Sequence, residues 1–325
     1  MEKNISLIFR KGTIHFFSLI IRTENRIILR ILGCRLLFRQ TTEFKKCLMN
    51  SLCFINGKIV RRSHATIGVD DLGLQRGYAV FDYVRTLNGK LFHFPDYLER
   101  LRKSASALYL ELPYSDEEIF EITTRLIGES DLKNPAVRLI LTGGKAQEQA
   151  GFDRPNFIIV TEELPYHPTE LYIYGAKLIT LEYQRELPHV KTTNYLNSIR
   201  LDALKREKGA FNMLYYHQNR VTECPRDNFF IFVGDTLITP KDDVLQGITR
   251  KQILRLSREH FSLEVREVSA EELSFADEAF TTSTSKGVIP IVQIDDHKIG
   301  SGSAGERTKT VMRLFQDYTE SYCNP

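Results

Sequence analysis

The chain has 325 residues, 42% of them hydrophobic, with 44 Lys and Arg against 41 Asp and Glu. That length and apolar content suffice for two ordinary cores and exclude a disordered or fibrous chain. The small positive total hides an uneven split: residues 1–48 hold ten basic and three acidic residues, whereas residues 49–325 hold 34 and 38, so the main body is mildly acidic and a nucleic-acid role has little support.

Residues 1–48 are rich in Arg, Ile, Leu and Phe and lack capping or turn signals. Three readings compete: an Arg-rich targeting segment, a basic amphipathic membrane-surface helix, or residues outside the natural protein because translation starts at Met49. Glu2 and Glu24 argue against a transit peptide. The apolar run 16–21 is far shorter than the roughly 18 residues a membrane span needs. The mis-assigned start is favoured, and the segment is expected to be a basic extension outside the fold that carries no chemistry.

From Ser51 the chain becomes legible. Apolar residues flank Asn56-Gly57 and again Asn88-Gly89, and this pair signals a hairpin because a type I′ turn needs positive φ at both central positions. Pro95 suits a first helical turn, and Tyr97, Leu98, Leu101, Ala105 and Leu108 repeat at helical spacing. Ser115 with Glu118 forms a capping box that opens a second helix through about Leu126. Strands are expected over 137–141 and 157–160. Pro165 and Pro168 mark a linker over 164–170, which divides an N-terminal domain, 49–163, from a C-terminal domain, 171–325.

Beyond the linker the pattern predicts a strand near 171–181, a helix over 195–208, and strands near 213–216 and 229–233. A helix over 249–260, a short helix near 270–274, strands near 278–282 and 288–293, and a terminal helix from about 304 complete the chain. The five cysteines are scattered without CxxC or His-Cys spacing, so neither a disulfide framework nor a metal site is expected, and a reducing, cytoplasmic setting fits.

Lys191 stands out among the cations. It follows the extended Pro188-His189-Val190 and precedes a helical pattern, so it sits at a junction from which a side chain can enter a cleft. Arg200, Lys205, Arg206 and Lys208 lie among polar residues and read as a solvated face. A desolvated amine with a lowered pKa is what Schiff-base chemistry requires. Gly247-Ile248-Thr249 comes directly before a helical pattern, so the amides of Ile248 and Thr249 lie where unpaired N–H groups and the helix dipole favour an anion, with Thr249 read as an N-cap. Thr282 to Ser285 is a run of hydroxyls after a strand.

Lys191-Thr-Thr-Asn-Tyr195-Leu, then Val-Thr-Glu223 followed by Arg226-Asp-Asn228-Phe, then Leu245-Gln-Gly-Ile-Thr249-Arg250, resembles the class IV (fold-type IV) pyridoxal-phosphate aminotransferases. These include branched-chain and D-amino-acid aminotransferases and aminodeoxychorismate lyase. The resemblance runs from about residue 52 to the C-terminus. It implies an α+β, two-domain fold with a smaller N-terminal domain and a larger C-terminal domain built on a mixed, barrel-like sheet. It also implies pyridoxal 5'-phosphate as cofactor, an amino acid and a 2-oxo acid as substrates, and a homodimer with a shared active site.

By that resemblance Lys191 binds the cofactor covalently and then moves the proton between Cα and C4′. Glu223 faces the pyridine nitrogen, Tyr195 bonds the phenolic oxygen, and Arg100, Ile248, Thr249 and Thr284 hold the phosphate. The substrate side is lined by Arg76, Phe81, Tyr83, Arg85, Arg138 and Ser285, with Arg76 on a loop lent to the partner subunit. Asp82 and Tyr83 depart from the Glu and Gly usual in branched-chain members. Arg138 lies in an otherwise apolar strand and needs an anionic partner, either a substrate carboxylate or an internal acid such as Asp82 or Glu163. The charge favours an acid-tolerant pocket. Amino transfer leads, the lyase reading stands second because lyases usually show threonine near position 82, and a non-catalytic cofactor-storage protein stands third.

Overall fold

The computed structural model describes residues 51–145 and 155–323, together with the backbone of three short strands, Leu19–Thr23, Arg26–Ile31 and Cys34–Phe38, which pair antiparallel in a sheet of their own. The other expectations for residues 1–48 lie outside the described residues.

The next sheet is antiparallel, with strands in the order Lys58–Arg61, Leu52–Ile55, Asn156–Glu162, Ala136–Thr142, Ala79–Leu87, Lys90–Leu91. Its two Asn-Gly turns carry the expected positive angles: φ is 48° at Asn56, 86° at Gly57, 48° at Asn88 and 76° at Gly89. Helix Phe94–Ala107 starts with Pro95 in its first turn. Helix Asp116–Gly128 starts with the complete capping box, in which Ser115 Oγ accepts from Glu118 N at 3.1 Å and Glu118 Oε2 accepts from Ser115 N at 2.7 Å.

Both helices bury one apolar stripe. Tyr97, Leu98, Leu101 and Ala105 from the first join Val80, Val84, Leu139, Leu141, Phe157 and Ile159 from the strands in one core. Val190 and Ile248 belong to the same core. The residue before Lys191 and the first residue of the later helix are therefore fixed by packing from the opposite half of the chain.

Segment 163–169 is irregular, as its prolines require. The strand expected near 171–181 begins later, because Glu170–Ile173 forms a helical turn and only Ala176–Glu182 is extended. Gly175, at φ 77°, makes the bend between them. The second large sheet is mixed. Ala176–Glu182 runs parallel to Asn212–His217 on one side and Gly287–Ile294 on the other, followed by antiparallel Glu278–Ser283 and Asp227–Val233. Thr236–Pro240 and Ser262–Arg266 extend it further and were not among the expected strands. Sheets with helices gathered on their faces give the expected α+β class.

Two helix boundaries differ from expectation. The helix expected over 195–208 is two short ones, Leu196–Arg200 and Asp202–Glu207, broken at Leu201. Leu196 and Ile199 are 70% and 68% exposed, so the first piece buries little apolar surface of its own, and Leu201 at the break packs against the cluster of Met213 and Tyr215 instead. The later helix is Ile248–Ser257, capped by Gly247 and not by Thr249. The terminal helix Glu306–Cys323 packs Val311 and Phe315 against Phe92, Phe230, Phe232 and Phe280.

Candidate active site

Lys191 is held from three sides. Its N–H donates to Ser104 Oγ at 3.1 Å, its carbonyl accepts from Phe81 N at 3.0 Å, and Thr193 N donates to Ala79 O at 3.1 Å. The backbone is thereby laid along the start of strand Ala79–Leu87, and the side chain enters a cleft with its Nζ 4.8 Å from the Phe81 ring centre. Although the residue keeps some surface open to the cleft, its ammonium is enclosed. Burial lowers its pKa to about 7, Arg100 and Arg185 push the same way, and Asp82 and Glu223 oppose them. A lysine so placed is half neutral at neutral pH, which is what a nucleophilic amine needs.

Glu223 lines the same cleft and is almost fully buried. Oε1 accepts from Arg185 Nη1 at 2.7 Å, and Oε2 accepts from Leu245 N at 3.0 Å and from Asn228 Nδ2 at 3.2 Å. Burial pushes its carboxyl above the usual range and Arg185 pulls it back. A carboxylate has about four acceptor directions, so one is left for a cationic N–H in the cleft. Arg185, which the sequence reading missed, also donates to Val190 O at 2.8 Å and Pro188 O at 3.2 Å. It therefore ties the carboxylate to the segment that delivers Lys191. Tyr195 completes this wall, its ring 5.8 Å from that of Phe81, with burial raising its phenol pKa.

The other wall is built for an anion. Gly247, Ile248 and Thr249 line it at the N-terminus of helix Ile248–Ser257, beside Arg100, Thr282, Ser283 and Thr284. Arg100 and Ser104 sit four apart on the buried face of helix Phe94–Ala107. The Arg100 guanidinium spends three N–H groups inside the protein, two on Asp82 at 2.9 and 2.6 Å and one on Gln246 O at 3.2 Å, which leaves two of its five. Thr284 Oγ1 shares a 2.9 Å hydrogen bond with Tyr97 OH. Thr282 Oγ1 and Ser283 Oγ are buried without a partner. A Cβ on Gly247 would run into Asn228 Oδ1, so the backbone here comes closer than any larger residue allows.

A wider cleft opens from the same lysine, with about 1190 Å³ of empty space against about 440 Å³ for the first. Phe81, Tyr83, Arg138, Thr284 and Ser285 line it, as expected for the substrate side. Desolvation pushes the Tyr83 phenol up to about 12, Glu162 adds to the rise, and the hydroxyl stays a donor.

Two expectations are corrected. Arg138 is paired with Glu162, at 2.8 Å from Nη2 and 3.1 Å from Nε, and not with Asp82 or Glu163. Both side chains are on neighbouring strands whose register brings Arg138 opposite Val160, so Glu162 two residues on is in reach. Asp82 is consumed by Arg100. Arg85 is outside both clefts, with its guanidinium 6.0 Å from the Phe92 ring. Arg76 ends the short helix Leu72–Arg76, is exposed, and lines neither cleft of its own chain. Besides Arg185 the structure adds Asp82, Asn228, Glu162, Arg226 and Lys286 to the site. The acid-rich Glu162-Glu163 and the Arg226-Asp227 pair were signals available in the sequence.

A buried lysine of low pKa, a buried carboxylate and a helix N-terminus ringed by hydroxyls and one guanidinium define a site for an aldehyde that carries a basic ring nitrogen and a phosphate. Those are the chemical features of pyridoxal phosphate, and the unpartnered Thr282 and Ser283 hydroxyls fit its phosphate.

The class IV amino-transferase family model matches residues 79–294, and the chain belongs to that family of pyridoxal-phosphate-dependent aminotransferases. A D-alanine aminotransferase of Bacillus licheniformis is 31% identical over 270 residues, covering 81% of this chain and 95% of that one. A putative branched-chain-amino-acid aminotransferase of Methanocaldococcus jannaschii is 30% identical over 279 residues, covering 81% and 95%. The crystal structure of the Escherichia coli branched-chain amino acid aminotransferase shares the fold, with a TM-score of 0.77 at 23% identity over 82% of this chain and 94% of that one.

Proposed function

We propose that this aminotransferase acts on a D-amino acid of the alanine or glutamate type, with a branched-chain or glutamate-type L-amino acid as the competing reading, and passes the amino group to a 2-oxo acid. The observation that carries the amino-transfer assignment is Lys191, with its pKa lowered to about 7, in one cleft with Glu223 and the Ile248–Ser257 helix N-terminus. The D-alanine aminotransferase relatives and the narrowing of the substrate wall by Tyr83 support the choice of substrate.

When bound, the cofactor supplies an electron-withdrawing ring that stabilises the pair left by the breaking Cα–H bond. Glu223 holds a proton at the ring nitrogen and so keeps the ring cationic. Arg100, the Ile248 and Thr249 amides, and Thr284 fix the phosphate, while Tyr195 holds the phenolic oxygen. Lys191 would take the proton from the substrate Cα and deliver it at C4′, across the intervening substrate nitrogen, with the bound ring supplying the electron sink. Phe81 covers the lysine and keeps bulk water from it. Arg76 serves the partner's site in a homodimer, and the enzyme works in the cytoplasm.

The test is a half-reaction on purified holoenzyme, in which single D- and L-amino acids are added and the absorbance of the lysine-bound cofactor is followed. Conversion by D-alanine or D-glutamate is expected. Conversion only by L-leucine, L-isoleucine or L-glutamate would assign a branched-chain type enzyme. No conversion by any of them would promote the lyase reading, against which Asp82 stands at the position where lyases usually show threonine.

A further inference from the structure

The positive charge expected of the substrate pocket is present, but not at Arg138, which Glu162 neutralises. It lies where the wider cleft meets a further space, around Arg226, which also lines the first cleft beside Tyr195. His167, Arg226 and Lys286 line the wider cleft and also line a second chamber beyond it. Five cationic side chains, Arg200, Lys205, Arg206, Arg226 and Lys286, border this chamber against a single carboxylate, Asp202.

Among the described residues the internal pairing leaves two of the five without a carboxylate partner. Lys205 and Arg206 both pair with Asp202, at 2.7 and 2.8 Å. Lys286 is held at 2.7 Å by the fully buried Asp227, which Asn212 Nδ2 steadies from the other oxygen at 2.7 Å. Arg226 lies over the Tyr195 ring at 5.3 Å, and Arg200 bonds only the neutral Asn197 Oδ1 at 3.3 Å. Among the described residues neither guanidinium has a carboxylate within ion-pairing distance. His167 Nε2, at the passage between the two spaces, is buried without a hydrogen-bond partner. One carboxylate shared by two cations, two unpaired planar guanidinia and an unpartnered imidazole nitrogen converge on a chamber that opens into the substrate cleft. Guanidinium forks match carboxylate and phosphate oxygens, and the field in such a cleft concentrates anions.

We propose that this chamber is a subsite for the distal anionic group, carboxylate or phosphate, of an elongated substrate whose reacting end lies at Lys191. The inference rests on the aminotransferase reading and extends it from small amino acids to longer acidic ones.

The test uses unreactive acids that occupy the cleft without turnover. Hexanoate, adipate, octanoate and suberate are titrated calorimetrically into holoenzyme, so that each diacid is compared with a monoacid of its own length. At one length or both, the diacid is expected to bind at least about tenfold more tightly, or about 1.4 kcal/mol. Arg226→Gln and Arg200→Gln are expected each to remove most of that preference, whereas Arg138→Leu should leave it in place. Inorganic phosphate is titrated in parallel. If phosphate binds and abolishes the preference, the chamber takes free anions as well as those borne by a substrate; if it does not bind, the anion must arrive attached. Equal binding of diacid and monoacid at both lengths, or a preference that survives both arginine variants, would overturn the subsite while leaving the half-reaction, and with it the aminotransferase reading, intact. Failure of the half-reaction with every amino acid, alongside an intact diacid preference, would overturn the aminotransferase reading alone.

Discussion

Arg100→Gln isolates the charge cluster beneath the cofactor site. Asp82 is fully buried, and among the described residues its side chain accepts, apart from Arg100, only from Tyr83 N at 2.8 Å. Removing the guanidinium strands a carboxylate in the core, and breaking a buried pair from one side costs about 3–5 kcal/mol. The double variant with Asp82→Asn removes both charges and should recover most of that loss, giving a coupling energy of about 2 kcal/mol or more. The same change reaches Lys191, because Arg100 lowers its pKa and Asp82 raises it. Without Arg100 the unpaired carboxylate lifts the lysine above about 7. A rise of one unit would reduce the neutral amine at pH 7 from about half to about one in eleven, roughly fivefold.

The assay is capture of pyridoxal, which lacks the phosphate and so does not depend on the other task of Arg100, followed against pH together with urea melts. Parent protein should show capture rising through about pH 7, since the amine is neutral above its pKa. Arg100→Gln should melt earlier with a higher capture midpoint, and the double variant should move back on both counts. A single variant within about 1 kcal/mol of the parent, or an unmoved midpoint, would refute the account.

The remaining predictions concern single contacts. Lys191→Ala should abolish the lysine–cofactor absorbance and nearly all turnover; retained turnover would remove Lys191 from the mechanism. Glu223→Gln should keep the cofactor bound and slow the half-reaction by about 100-fold, a scale typical of losing one preorganised electrostatic group; stopped-flow absorbance reads it, and an unchanged rate would contradict the role. Gly247→Ala pushes a methyl into Asn228, which holds both Glu223 Oε2 and Leu245 O. Cofactor affinity, measured by fluorescence titration, should weaken about tenfold, and parent-like affinity would show that the close approach is not needed. Arg138→Leu should lower kcat/KM for monocarboxylic and dicarboxylic amino acids alike, because the guanidinium serves Glu162; a loss confined to dicarboxylic substrates would restore it as a substrate anchor.

What the sequence alone determined is local. The Asn-Gly hairpins and the Ser115 capping box depend on residues adjacent or three apart, so their chemistry is complete within a few positions. Lys191, Glu223 and the Gly247 to Thr249 turn were legible because each sits in a short motif that resembles the family's, although contacts from the other half of the chain hold Lys191 in place. The strand Thr236–Pro240 was missed although Gly234, at φ 55°, marks the turn before it. Ser262–Arg266 was missed because it pairs in parallel with a strand whose partner no local pattern names.

Only the tertiary structure decided which charges meet. Arg185 reaches Glu223 across 38 positions, Arg100 reaches Asp82 across 18, and Arg138 reaches Glu162 across 24. Nothing in periodicity selects among several acids at such separations. Sheet register and helix packing bring one of them within 3 Å, and burial then makes that pairing obligatory. Those choices leave Arg138 compensated by Glu162 and, among the described residues, Arg226 and Arg200 without a carboxylate partner.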